Sequence, residues 1–150
     1  MDIPPDVKLK ASIKTGSVYY FPYEMLRSSQ AHYFVVLNID PISEKVIILL
    51  CASSQIEKVK LRNKYNPPET IIQISREQYP DFTADITVFD CNNSVFLQNI
   101  DALVERLSQN KLQLKKEMDH TLVEKLRQGV ILSRQIPFYI KRQLGMSSKH

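Results

Sequence analysis

His32 heads the run AHYFVVLNI (31–39), a rim position from which a side chain can reach a groove. An unperturbed imidazole titrates near neutrality, so a residue so placed can carry a proton at physiological pH. Ser53 and Ser54 close a second apolar run, KVIILLCA (45–52), and offer hydroxyls that can donate to a phosphate oxygen. Arg27, in MLRSSQ (25–30), offers a guanidinium for developing charge. Residues of these types can move a proton and stabilise charge developing at a phosphate. Each residue also has a plainer reading: His32 as an exposed strand end, the serines as turn formers.

Directly behind the serines, Lys58, Lys60, Arg62 and Lys64 occupy every second position, with Val59 and Leu61 between them. In a β-strand successive side chains point to opposite faces. The spacing therefore predicts a cationic row of Lys58, Lys60, Arg62 and Lys64 along a strand over 55–63 and the residue after it, with Val59 and Leu61 facing the core and Ile56 as the misfit. Two roles fit such a row. Lysines along an edge strand block unwanted pairing, and cations tracking a phosphate backbone gain affinity by releasing counterions.

Other polar groups read more simply. Asp90, Asn92 and Asn93 in FDCNN (89–93) suit a turn, where Asp and Asn bond their own backbone. His120 belongs to a helix start at the surface. Tyr19, Tyr20, Phe21, Tyr23, Tyr33 and Phe34 include candidates for base stacking, although aromatics in strands usually enter the core. Cys51 and Cys91 each end an apolar run without CxxC or Cys/His spacing, and read as reduced core thiols. No phosphate-binding loop, GxGxxG, GxSxG or HExxH motif is present.

The elements that must position these groups change character near residue 100. Before it, GSVYYFPY (16–23), AHYFVVLNI, KVIILLCA, QIEKVKLRN (55–63), TIIQIS (70–75) and ADITVFD (84–90) read as short strands, with DPISEK (40–45) as a hairpin turn. Five or six strands within about 90 residues suggest a small, strongly bent sheet or barrel. After it the period is helical. Asp101 can cap a helix carrying Leu103, Val104 and Leu107, continued by Leu112, Leu114 and Met118. DHTLVEKLRQGVILS (119–133) predicts a second helix, and IPFYIKRQLG (136–145) a third, with Pro137 in its first turn and Gly145 as the stop. The class is α+β, a single domain over 1–150 with a barrel at about 13–99 and helices at about 100–145.

Composition agrees. Hydrophobic residues make up 43% and charged residues 24% of 150, which suits a globular protein with a real core. A net charge of +4 favours an acidic partner, nucleic acid first. MDIPPDVKLK has no apolar stretch of the kind a secretory signal needs, and the run 46–52 is too short to span a bilayer. The expectation is a soluble, cytoplasmic protein.

The order of these pieces resembles the PemK/MazF (Kid-type) toxins of type II toxin–antitoxin systems. The pieces are a strand opening at Gly16 (TGSVYYFPY), HYFVVLN, CASSQIEKVKL, a late ITVFD strand and a helical tail. The resemblance covers roughly residues 13–132, and its most specific segment is CASSQIEKVKL, similar to the family's Thr-Ser segment and the basic stretch after it. It implies a small Src-homology-3-like barrel with C-terminal helices, usually paired as a homodimer. It also implies metal-independent endoribonuclease activity on single-stranded RNA, with no cofactor and with an antitoxin protein as partner. Where the family's second strand opens with Arg-Pro, the arginine being catalytic, this chain has His32 and Tyr33. The family's Thr-Ser is Ser53-Ser54, and Ser17 replaces the acidic residue that often follows the first-strand glycine. The alternative is a non-catalytic protein of the same fold that binds nucleic acid or a protein. On the nuclease reading the catalytic set is His32, Ser53, Ser54 and Arg27, and Lys58, Lys60, Arg62 and Lys64 hold the RNA.

Overall fold

Runs rich in Val, Ile, Tyr and Phe become strands because β-branched and aromatic side chains pack well on a pleated surface. A computed structural model describes residues 3–26 and 28–145. Its first half runs α1 (Pro5–Ser12), β1 (Val18–Pro22), β2 (Ala31–Val36), α2 (Pro41–Glu44), β3 (Val46–Ser53) and α3 (Ile56–Arg62). A 3-10 turn (Pro68–Thr70) leads to β4 (Ile71–Ser75), β5 (Ile86–Asp90) and β6 (Val95–Asn99). Then come α4 (Ile100–Ser108), β7 (Gln113–Lys115), α5 (His120–Leu132) and α6 (Phe138–Gln143). The class is α+β.

All ladders are antiparallel, in the order β4-β5-β3-β2-β1-β7, with β6 also paired to β3. The expected hairpin of β2 and β3 forms, with Phe34 opposite Cys51 and Val36 opposite Leu49. β3 is the pivot. Along one edge Val46 to Leu50 pair with β6, and then Ala52 and Ser53 pair with β5.

The sheet does not close into the expected barrel, because no ladder joins β4 to β7 among the described residues. The physical reason lies in β2 and β3, which are buried on both faces. Tyr33, Val35, Ile48, Leu50 and Ala52 belong to a core shared with Val123, Leu126 and Val130 of α5. Phe34, Val36, Ile47, Leu49 and Cys51 belong to a second core, with Leu9 of α1 and Leu103 of α4. A barrel has one apolar face per strand, whereas helices on both sides of a sheet demand two. Where β4 and β7 fail to meet, side chains bridge the gap. Tyr33 Oη donates to the Asp81 carbonyl at 2.7 Å, Lys116 N donates to Asp81 Oδ2 at 2.9 Å, and Tyr79 Oη donates to the Lys116 carbonyl.

Three further readings need correction. The helix expected to carry Leu112, Leu114 and Met118 ends at Ser108, and its N-cap is Asn99 rather than Asp101, with Asn99 Oδ1 accepting from Ala102 N at 2.8 Å. Asn110 takes a positive φ of 58°, Asn110 N bonds Leu107 O at 3.1 Å and Lys111 N bonds Arg106 O at 2.8 Å. That left-handed stop ends α4 and frees Leu114 to enter β7 and pair with Tyr19 of β1. Second, the segment expected as a strand over 55–63 holds the helix Ile56–Arg62: IEKVKLR consists mostly of good helix formers, and Val59 N bonds Gln55 O at 3.1 Å. Third, α1 and β6 are additional elements. By contrast α5 starts as expected, with Asp119 accepting from Thr121 N at 3.1 Å, and Gly145 follows the end of α6 with a φ of 98°.

Candidate active pocket and the basic helix beside it

The β2–β3 ladder stops at Phe34 and Cys51, and Ala52 and Ser53 turn instead to β5. The two strands therefore separate at the end that carries His32 and the serine pair. The opening is a cavity of about 250 Å³ whose wall includes Tyr20, His32, Ser53, Ser54, Thr83 and Thr87. Three of the four residues named as the catalytic set thus line one space. Arg27 lies outside the described residues.

His32 Nδ1 is 3.1 Å from the Gln30 carbonyl. A carbonyl oxygen only accepts, so in the neutral ring Nδ1 carries the proton and Nε2 keeps its lone pair. That is the tautomer a general base needs. Ser53 Oγ accepts from Gln55 N at 3.0 Å and so retains its own proton for donation. Ser54 is exposed and makes no side-chain hydrogen bond among the described residues. Tyr20 packs on Tyr33 with ring centroids 4.5 Å apart, and Lys115 Nζ stands 5.5 Å from the Tyr20 centroid. Burial raises the pKa of Tyr33, which keeps it a neutral donor.

Thr83 and Thr87 were not legible as site residues. A hydroxyl inside the apolar run ITVF was the available signal for Thr87. Of the six aromatics considered for stacking, Tyr19, Phe21, Tyr23, Tyr33 and Phe34 are core residues. The cysteines are buried thiols, and burial pushes Cys51 up to about 12. Among the described residues no Lys, Arg, Asp or Glu lines the cavity.

The cations beyond Ser54 are arranged differently from the expected row. On a helix a spacing of two scatters side chains instead of aligning them. Val59 is buried on the core side, while Leu61, expected inside, is 68% exposed. Lys58, Lys60 and Lys64 are exposed and have no carboxylate within ion-pair distance among the described residues. Arg62 differs: its Nε donates to Asp90 Oδ2 at 2.8 Å, which leaves only its Nη groups for a ligand.

Asp90 closes the expected turn, accepting from Asn92 N at 3.0 Å and Asn93 N at 3.1 Å. It does more as well. Asn63 Nδ2 at 2.9 Å and Asn93 Nδ2 at 3.0 Å also donate to it. Burial pushes its pKa up, but the hydrogen bonds from Asn93, Asn63, Arg62 and the Asn92 amide more than offset this and hold it below the ordinary value. From there Asn92 reaches Thr70 at 2.8 Å and Ser133 at 2.5 Å, tying α3 to the end of α5.

A larger cavity, about 520 Å³, lies on the other side of Ser28 and contains Arg106. That guanidinium is already engaged by the Pro22 carbonyl at 2.8 Å and by Glu24 at 2.7 Å. Among the described residues no cluster of His, Cys, Asp and Glu could hold a metal ion, and no helix is long and apolar enough to cross a membrane. Searches against protein-family models and against curated proteins find no match to this chain.

Proposed function

We propose that this chain is a metal-independent endoribonuclease acting on single-stranded RNA. The observation that carries the reading is the meeting of His32, Ser53 and Ser54 in one cavity at the split between β2 and β3. His32 Nε2 takes the proton of a 2′-OH, and that oxygen attacks the adjacent phosphorus. The bond to the 5′ oxygen breaks and that oxygen takes a proton from water, leaving a 2′,3′-cyclic phosphate and a 5′-OH, while the proton on His32 returns to solvent. Ser53 and Ser54 donate to the non-bridging oxygens, where charge grows. Lys58, Lys60 and Lys64, with the Nη groups of Arg62, hold the strand on either side. Arg27 is the candidate for the guanidinium that offsets the remaining charge.

The PemK/MazF-like order of segments supports the same reading, and with it a Src-homology-3-related fold, a homodimer in the cytoplasm and an antitoxin that holds the enzyme inactive. The decisive test is the product. Purified protein with single-stranded RNA and EDTA should yield fragments ending in 2′,3′-cyclic phosphate, whereas 3′-hydroxyl ends would rule this chemistry out.

One observation favours a second reading. The cavity wall carries no cation among the described residues, so the same pocket and basic helix also suit a non-catalytic protein that binds RNA or a protein. Tight RNA binding without cleavage under any condition would select it.

A further inference from the structure

Tyr65 stands just beyond α3 and is 85% exposed, the most exposed of the large hydrophobic side chains among the described residues. Such exposure costs favourable burial, and a single apolar residue at the surface needs no explanation. Tyr65 is not single, however. The turns after α3 keep a near-helical path, with Asn63 N bonding Lys60 O at 3.2 Å, Lys64 N bonding Leu61 O at 3.4 Å and Asn66 N bonding Asn63 O at 2.9 Å. On that path Leu61 lies between Lys58 at i−3 and Lys64 at i+3, with Tyr65 at i+4. Lys64 Nζ lies 5.1 Å from the Tyr65 ring centroid, a cation–π contact. Lys64 occupies one side of the ring, and an exposure of 85% leaves the rest of it open. The result is an aromatic face bordered by free cations, in the turn just past the helix that begins two residues after Ser54.

We propose that Tyr65 is a base-stacking platform, and that Lys58 and Lys64 hold the phosphates on either side of the stacked nucleotide. The ligand class is single-stranded nucleic acid, in which unpaired bases expose the π-face that an aromatic ring takes up while cations follow the backbone. Charge complementarity selects this occupant. Lys58, Lys60 and Lys64 have no ion-pair partner among the described residues, and Arg62 directs only its Nε inward. The inference rests on the nucleic-acid reading above and adds to it a contact with bases.

The test uses the full chain and a labelled 2′-O-methyl oligonucleotide, which lacks the nucleophile for cleavage, together with a matched strand bearing abasic positions. Binding is read by fluorescence anisotropy for wild type, Tyr65→Ala and Tyr65→Phe. Tyr65→Ala should weaken binding of the base-bearing strand about five- to a hundredfold. Tyr65→Phe should bind like wild type, and the abasic strand should bind wild type and Tyr65→Ala equally. Because the side chain is exposed, neither substitution disturbs the core. Unchanged affinity of Tyr65→Ala for the base-bearing strand overturns the platform, as does an equal loss on both strands. A dimer that dissociates in Tyr65→Ala with RNA affinity intact also overturns it, assigning the patch to a second copy. Failure of wild type to bind either strand overturns both this inference and the nucleic-acid reading, whereas binding that ignores Tyr65 overturns this inference alone.

Discussion

Arg62 Nε donates to Asp90 Oδ2 at 2.8 Å, and the two ends of that bond sit in different surroundings. The Arg62 side chain is 49% exposed and that of Asp90 is 1% exposed. The carboxylate is thus an anchor inside the protein, held from several sides, and the arginine is one of its donors at the surface. A residue that reads as a phosphate ligand is therefore also part of what fixes α3 to the turn after β5.

The asymmetry predicts unequal mutants. Asp90→Ala leaves one Asn63 Nδ2 hydrogen and the Asn92 amide, both buried, without their acceptor, at about 1–3 kcal/mol for each unsatisfied buried group. A total loss of about 2 kcal/mol or more is expected. Arg62→Ala removes a half-exposed partner and should cost about 1 kcal/mol or less. Urea unfolding midpoints compare them directly, and equal losses would contradict the buried-anchor account.

Acid should weaken the same anchor. The folded-state pKa of Asp90 lies below its ordinary value of 3.8. A depressed carboxylate contributes stability that is fully present above the unfolded value and is lost as pH falls through the folded one. Between neutrality and about pH 3, wild type should therefore lose more unfolding free energy than Asp90→Asn does. Parallel curves for the two proteins would remove Asp90 from the acid response.

Gly129 marks where α5 presses on the sheet. A Cβ there would lie 2.8 Å from Cys91 Sγ and 2.9 Å from Ile72 Cδ1. Alanine is the better helix former by about 1 kcal/mol, but overpacking a core costs about 1–3 kcal/mol. Gly129→Ala should lower the melting temperature, and a rise would show that the α5 interface is looser than described.

The basic helix predicts a salt signature. Each phosphate neutralised on a single strand contributes about −0.7 to the slope of log affinity against log salt. Replacing Lys58 and Lys64 with Ala should flatten that slope more than Arg62→Ala, since Arg62 already serves Asp90. A slope that all three substitutions leave unchanged would return these cations to a purely solvated role.

Much of the sheet was legible because β1 to β5 are dense in Val, Ile, Tyr and Phe, and α5 because Leu122, Val123, Leu126 and Val130 recur at helical spacing behind Asp119. The site residues were legible only by type. That His32 and Ser53 face one cavity depends on β3 leaving β2 for β5, a long-range event that no local pattern encodes. The partner of Arg62 lies 28 positions along the chain, so the alternation of Lys58, Lys60, Arg62 and Lys64 suggested a strand while the helix propensity of IEKVKLR decided the outcome. Near-continuous apolar runs in β2 and β3 carried the signal for burial on both faces, which a closed barrel does not require. Leu112 and Leu114 continued a helical period only on paper, because the left-handed turn at Asn110 intervenes.

The central claim is that His32 moves the proton in RNA cleavage, and the most direct measurement is single-turnover cleavage by wild type and His32→Ala in EDTA, with RNA affinity measured in parallel. General acid–base groups contribute about 10²–10⁴-fold, so the account predicts that His32→Ala loses at least about a hundredfold in rate while its affinity stays close to that of wild type. Full activity in His32→Ala would contradict it.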